Sequence, residues 1–102
     1  MASFAFHPDA LLEYAEATHY YLREAAPEVA ERFVAAVESG ITALFSAPER
    51  WRIVGEPGIR RYVFRRFPYV LYYRWDSAQK RITLYALMHS SREPGYWKNR
   101  ID

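Results

Sequence analysis

Apolar residues recur along this chain at two periods, and the change of period divides it. From Pro8 to Arg23 the spacing is helical, with Leu11, Ala15, Thr18 and Leu22 on one stripe. Pro8 suits a first helical turn, and Asp9 adds favourable charge at the positive helix end. Ala25-Ala26-Pro27 interrupts the pattern, and Pro27 starts a second helix. There Val29, Phe33, Val37, Ile41 and Leu44 recur at three or four residues, widened by Ala30, Val34 and Phe45, until Ser46-Ala47-Pro48. Glu28, Glu31, Arg32 and Glu38 fall on the water side. The short connection predicts an antiparallel helical hairpin.

Beyond Pro48 the period shortens. Glu49 to Gly58 reads as a loop because Gly55 and Pro57-Gly58 punctuate it. Ile59–Phe67, Tyr69–Trp75 and Arg81–Met88 read as strands, with Asp76-Ser77-Ala78-Gln79 as a hairpin turn. The last two are apolar on both faces and are expected to be central. Ala2–Phe6 is a further short strand, and Pro94–Arg100 a short helical turn. The order β-α-α-β-β-β predicts a two-layer α+β fold. An N-terminal strand and a helical hairpin would pack on a small antiparallel sheet.

Length and composition narrow this picture. A chain of 102 residues predicts one domain over 1–102. Aromatic residues make up 18% of it, more than a small core needs, so part of that area is expected to face a partner. There is no Cys, which excludes a disulfide scaffold and a thiolate zinc site. His7, His19 and His89 are scattered, so no metal is expected, and no cofactor-binding loop is visible. No signal-like or membrane-spanning run occurs, and the expected location is the cytoplasm.

Charge is uneven. The formal net charge is +2, but residues 1–49 carry only Arg23 and Arg32 among the fourteen basic residues. The acids of that half include Asp9, Glu13, Glu16, Glu24, Glu28, Glu31 and Glu38. An acidic first half and a basic second half predict a dipolar molecule with a basic face for an anionic partner.

The chemistry-capable residues cluster in the basic half. In Arg60-Arg61-Tyr62-Val63-Phe64-Arg65-Arg66, strand alternation puts Arg61 and Arg65 on one face, and Arg60 and Arg66 on the other. Such pairs either fork onto phosphates and carboxylates or stand as solvated strand ends. His89, just past a strand end, reads either as a general acid or base or as a histidine bonded to backbone. Arg92 is either a stabiliser of developing phosphorane charge or an ion-pair partner of Glu93 or a helix acid. Tyr96 is either a phenolic acid or base or a packing residue beside Trp97.

The whole order of motifs resembles the RelE/ParE superfamily of toxins from type II toxin–antitoxin systems. The resemblance is carried by Arg60-Arg61, by Phe67-Pro68-Tyr69 with Tyr72-Tyr73, and by the tail His89…Arg92…Pro94…Tyr96-Trp97…Arg100. It implies a growth-inhibiting toxin held in a hetero-oligomer by a cognate antitoxin. ParE-like members inhibit DNA gyrase, whereas RelE-like members cut mRNA on the ribosome. In the RelE-like reading Arg61, Arg65, Arg92, Tyr96 and His89 are the catalytic candidates, with Arg60 beside them on the phosphate-contacting strand. Arg60, Arg61, Arg65, Arg66, Arg92 and Trp97 are the candidates for binding target or antitoxin.

The net charge of +2 and the presence of only two lysines, Lys80 and Lys98, depart from the nuclease pattern. The ParE-like branch is therefore the expectation. The ribosome-dependent endoribonuclease and a non-toxic interaction module stand as alternatives. The antitoxin segment is expected to be acidic or amphipathic and to lie across the hairpin and the sheet.

Overall fold

The computed structural model describes residues 3–93 and 95–101. Ala2 and Pro94, placed above in a strand and in the C-terminal turn, lie outside the described residues. The elements are β1 (Ser3–Phe6), α1 (Pro8–Glu24), α2 (Pro27–Ser46), β2 (Ile53–Gly55), β3 (Ile59–Val63), β4 (Tyr69–Asp76) and β5 (Arg81–His89), with a short 3-10 turn at Lys98–Arg100.

Local chemistry sets these limits. His7 caps α1, its Nδ1 accepting the Asp9 N–H at 3.1 Å, and Pro8 occupies the first turn. Before Pro27 the chain is extended at Ala26 (φ −161°, ψ 157°), as a residue preceding proline prefers, so the two helices separate there.

The sheet has five strands in the order β1-β5-β4-β3-β2. The α+β class and the order of the expected elements agree with the expectation; the sheet differs in three ways. It is mixed, because β1 runs parallel to β5 from Ser3↔Arg81 to Phe6↔Leu84. It gains β2 within the expected loop, paired through Ile53↔Arg60, with Gly58 (φ 83°) in the left-handed conformation the tight connection requires. And β3 stops at Val63, four residues short of the expected Phe67. The Phe64 N–H still bonds the Tyr69 carbonyl at 3.2 Å, but Pro68 has no N–H with which to extend a ladder.

The α1 stripe needs correction. Leu11 and Leu22 stay 53% and 47% exposed, while Ala10 and Ala17 are buried at 0% and 5%. The inward row is Ala10, Tyr14, Ala17 and Tyr21. It has the same spacing as Leu11, Ala15, Thr18 and Leu22, offset by one residue, so period alone cannot separate the two. The small alanines admit close approach to the sheet. The tyrosine rings fill the space between them, Tyr14 against Phe6 and Phe33, and Tyr21 against Phe33 and Phe67. On α2 the expected row is buried, with Phe33, Val37 and Leu44 at 0%.

Each face of the sheet carries a cluster. Leu71, Tyr73, Ile82, Leu84 and Leu87 join the helices, while Ile59, Val70, Tyr72, Ala86 and Met88 gather under Trp97 on the other face. Strand alternation makes this division, and a bulge shifts it by one residue within β5: Tyr72 pairs with Ala86 but Tyr73 with Leu84, leaving Tyr85 extra.

Past Leu84 the β1 ladder ends. There Glu13 Oε1 accepts the Leu87 N–H (3.1 Å), and Arg100 Nη1 donates to the Tyr85 carbonyl (2.9 Å). The two side chains also join each other bidentately, at 2.9 and 2.7 Å. This pair pins the C-terminal segment to α1 and β5.

Candidate functional site

The strand arginines do not form one basic face. Arg60 Nη1 donates to the carbonyls of Glu49 (2.9 Å) and Trp51 (2.6 Å), which clamps the chain entering β2. Arg61 pairs across the ladder with Tyr72 and stands exposed on the second face. Arg65 does not share that face, as alternation had implied, because the strand has already ended. It turns with Arg66 into a groove of about 560 Å³ between α2 and the β3–β4 connection.

That groove has an aromatic wall, Tyr62, Phe64 and Phe67, and a floor of small α2 residues, Ala35, Ala36 and Ser39. Arg32, one turn from Ala35 and Ala36, adds a third guanidinium. Helical spacing alone puts Arg32 on the water side of α2. The row Val29, Arg32, Ala36, Ser39 at helical spacing was the signal that it flanks a groove. Three guanidiniums above aromatic and small apolar residues suit a segment carrying both carboxylates and apolar side chains.

His89 closes β5 at the edge of a different cleft. Its Nδ1 accepts the Ser91 N–H at 3.1 Å and lies 2.8 Å from Ser91 Oγ, so in the neutral ring Nε2 carries the proton. Tyr69 meets the imidazole edge-on at 5.5 Å. Tyr20, Glu16, Met88 and Arg92 line the same cleft, which encloses about 200 Å³. Burial, and secondarily Tyr21 and Tyr20, push the Tyr69 phenol above its ordinary value, so it stays protonated at neutral pH. Tyr20 was not anticipated, and it enters because α1 turns its leucine row outward.

Arg92 lies over the Tyr96 ring with its guanidinium carbon 4.0 Å from the centroid; Arg100 lies over the same ring at 4.8 Å. Tyr96 is therefore a partly exposed cation-binding ring and does not pack inward beside Trp97. Trp97, expected at a binding surface, is only 3% exposed, with its ring tilted on Tyr72 at 5.6 Å and pressed against Gly55. It is a core residue of the second face. Hydrogen bonding to Glu13 holds the Arg100 guanidinium above its ordinary pKa, partly offset by burial.

The catalytic candidates are thus dispersed. His89 and Arg92 share one cleft, Arg65 lines another, and Arg61 stands on the second face. The ends of β3 and β5 flank β4, two strand spacings or about 10 Å apart. Among the described residues no group of three His, Asp or Glu side chains is placed to hold a metal. No described helix is long and apolar enough to cross a membrane.

Comparison with known proteins agrees with the fold. No curated protein matched the chain. A solved structure described as the chromosomal ParDE TA system from P. aeruginosa superposes with a TM-score of 0.74 at 20% identity, covering 87% of this chain and 96% of that one. At that identity the likeness is one of fold. The family model for the ParE toxin of the type II toxin–antitoxin system parDE matches residues 4–94. With nearly the whole chain matched, this protein belongs to the ParE toxin family of type II toxin–antitoxin systems.

Proposed function

We propose that this chain arrests growth by acting on DNA gyrase in the cytoplasm, and that a cognate antitoxin neutralises it. The observation that carries the target is the dispersal of the candidate catalytic side chains. Cleavage of RNA through a ribose 2′-hydroxyl needs an acid–base group and phosphate-binding cations around one phosphate. Here Arg61, Arg65 and His89 serve different surfaces, and Arg60 is held by backbone carbonyls. A toxin that works by contact with a protein needs no such convergence. The solved ParDE structure likewise concerns a toxin–antitoxin pair. For the antitoxin, the groove of Arg32, Arg65 and Arg66 is the surface that matches an acidic, partly apolar segment.

A second reading, the ribosome-dependent endoribonuclease, rests on His89 and Arg92 sharing one cleft with Tyr20.

One culture tests both readings. After induction, plasmid topology and RNA ends are measured together, and purified protein is titrated into a gyrase supercoiling reaction. Inhibited supercoiling with unaltered mRNA ends is expected, and His89→Ala should still arrest growth. Normal supercoiling at saturating protein, with codon-positioned cuts that His89→Ala lowers by about 10²-fold or more, would replace the gyrase reading with the nuclease. For the antitoxin, Arg65→Glu/Arg66→Glu should weaken capture by the antitoxin encoded beside this chain.

A further inference from the structure

The second face of the sheet holds a hollow of about 490 Å³ that neither the ion pair nor the Trp97 cluster fills. Its volume lies in the range of small-molecule sites, about 300–1,000 Å³. The sheet supplies Arg74 and Thr83, which are cross-strand partners on β4 and β5. His7 and Tyr85 also line it, with their rings 6.2 Å apart, and the C-terminal segment adds Asn99 and Ile101.

These polar groups are not used by the fold. Arg74 is half-buried, and among the described residues its guanidinium has no ion pair and no hydrogen bond. Likewise, among those residues, the hydroxyls of Thr83 and Tyr85 and the amide of Asn99 have no partner. His7 Nδ1 accepts the Asp9 N–H, so in the neutral ring Nε2 carries a proton it can donate. Arg100 lines the hollow too, but its guanidinium is occupied by Glu13 and the Tyr85 carbonyl. The one carboxylate among the lining residues is Asp9, which is 58% exposed and 3.7 Å from Arg100 Nε, so water and that cation screen it.

A free guanidinium beside neutral donors suits an oxyanion. Arg74 and Thr83, about 5 Å apart across the ladder, can hold one phosphate between them. A phosphate alone is far smaller than the hollow. The remaining groups, two hydroxyls and an amide, donate as well as accept, which matches a body carrying several hydroxyls. We propose that this hollow binds a sugar monophosphate, with its phosphate on Arg74 and Thr83 and its hydroxyls on Asn99 and the Tyr85 phenol. Bound there, the ligand bridges β4, β5 and the C-terminal segment, so it stabilises the folded chain. The inference does not depend on gyrase or mRNA as target. It uses none of the arginines assigned to the antitoxin groove, so the readings fail separately.

The probe is glucose 6-phosphate, titrated into the full chain with amide shifts followed by NMR. Glucose, inorganic phosphate and adenosine 5′-monophosphate are titrated in parallel. Glucose 6-phosphate should bind about ten-fold more tightly than glucose or phosphate, and more tightly than the nucleotide. Shifts should fall at Arg74, Thr83, Tyr85 and Asn99. Arg74→Gln should weaken binding about ten-fold, and Asn99→Ala should weaken glucose 6-phosphate but not inorganic phosphate. The ligand should raise the melting temperature of the native chain and leave that of Arg74→Gln unchanged. Should Arg74→Gln unfold, the ranking of the four ligands and the shift map on the native chain decide.

Equal binding of glucose 6-phosphate and glucose, or binding that a folded Arg74→Gln leaves intact, would overturn the proposal. So would shifts centred on Arg32, Arg65 and Arg66, which assign the phosphate to the other groove. Tighter binding of the nucleotide would overturn it in favour of a nucleic-acid component.

Discussion

The two faces of the sheet are closed by different physics. Toward the helices, closure is apolar and redundant, with Phe33, Tyr14, Tyr21 and Phe67 sharing edge-on and tilted contacts around one cluster. Toward the other face it rests on a short C-terminal segment, one indole and one buried ion pair, that of Arg100 with Glu13, beside a longer contact of 3.7 Å from Arg100 to the exposed Asp9. The Arg100 side chain is 6% exposed and that of Glu13 16%. A redundant cluster loses contacts gradually, whereas a single buried pair left with one partner leaves an uncompensated charge. The second face should therefore open first and most abruptly.

The largest test removes that pair. Arg100→Ala should cost about 3–5 kcal/mol in denaturant unfolding. At low denaturant it should red-shift tryptophan emission as Trp97 meets water, before helical circular dichroism falls. Simultaneous loss of both signals would show that the two faces unfold as one unit.

A smaller effect lies on the helix face and is set by pH. Burial pushes the Tyr73 phenol up to about 12, the nearby Arg60 charge lowering it only in part. Its hydroxyl donates to the Pro48 carbonyl at 2.7 Å. A folded pKa above the unfolded value of roughly 10 means that this contribution is complete below that value and is lost as pH rises through about 12. The loss should reach about 2–3 kcal/mol in unfolding experiments stepped through that range, and Tyr73→Phe should flatten the slope.

Next comes the seat of the indole. A Cβ at Gly55 would lie 2.6 Å from the Trp97 ring, so Gly55→Ala should destabilise by about 1–3 kcal/mol. It should perturb Trp97 emission and leave the helix cluster unchanged, with unaltered emission counting against the packing described.

The smallest effect is expected on the outer row of α1. Leu11→Ser should change the stability of the isolated chain by no more than about 0.5 kcal/mol. A loss of several kcal/mol would mean that this row is buried after all.

Legibility followed periodicity and distance. The α2 stripe was legible because Phe33, Val37, Ile41 and Leu44 leave one apolar row. The central strands β4 and β5 were legible because they are apolar on both faces. On α1 two rows satisfy the same spacing, and the chain itself does not say that alanines and tyrosines will win over leucines. The strand β2 was hidden because three residues among Gly and Pro carry too little pattern. At the site, the placement of His89 at a strand end was legible. The grouping of Arg32 with Arg65 and Arg66 was not, since it depends on where β3 stops. Glu13 and Arg100 are 87 positions apart, and Glu13 reads locally as an ordinary helix acid.

The sequence by itself determined the order of every element but β2, the family to which the chain belongs and the acidic-to-basic polarity along its length. These depend on spacing and composition, which are local. The tertiary structure alone decided which row of α1 faces the core, that Trp97 is buried while Tyr96 is not, and how the arginines divide among three surfaces. Each depends on packing between elements distant in sequence, where ring shape, a bulge and a single ion pair choose among arrangements that the hydrophobic period leaves equivalent.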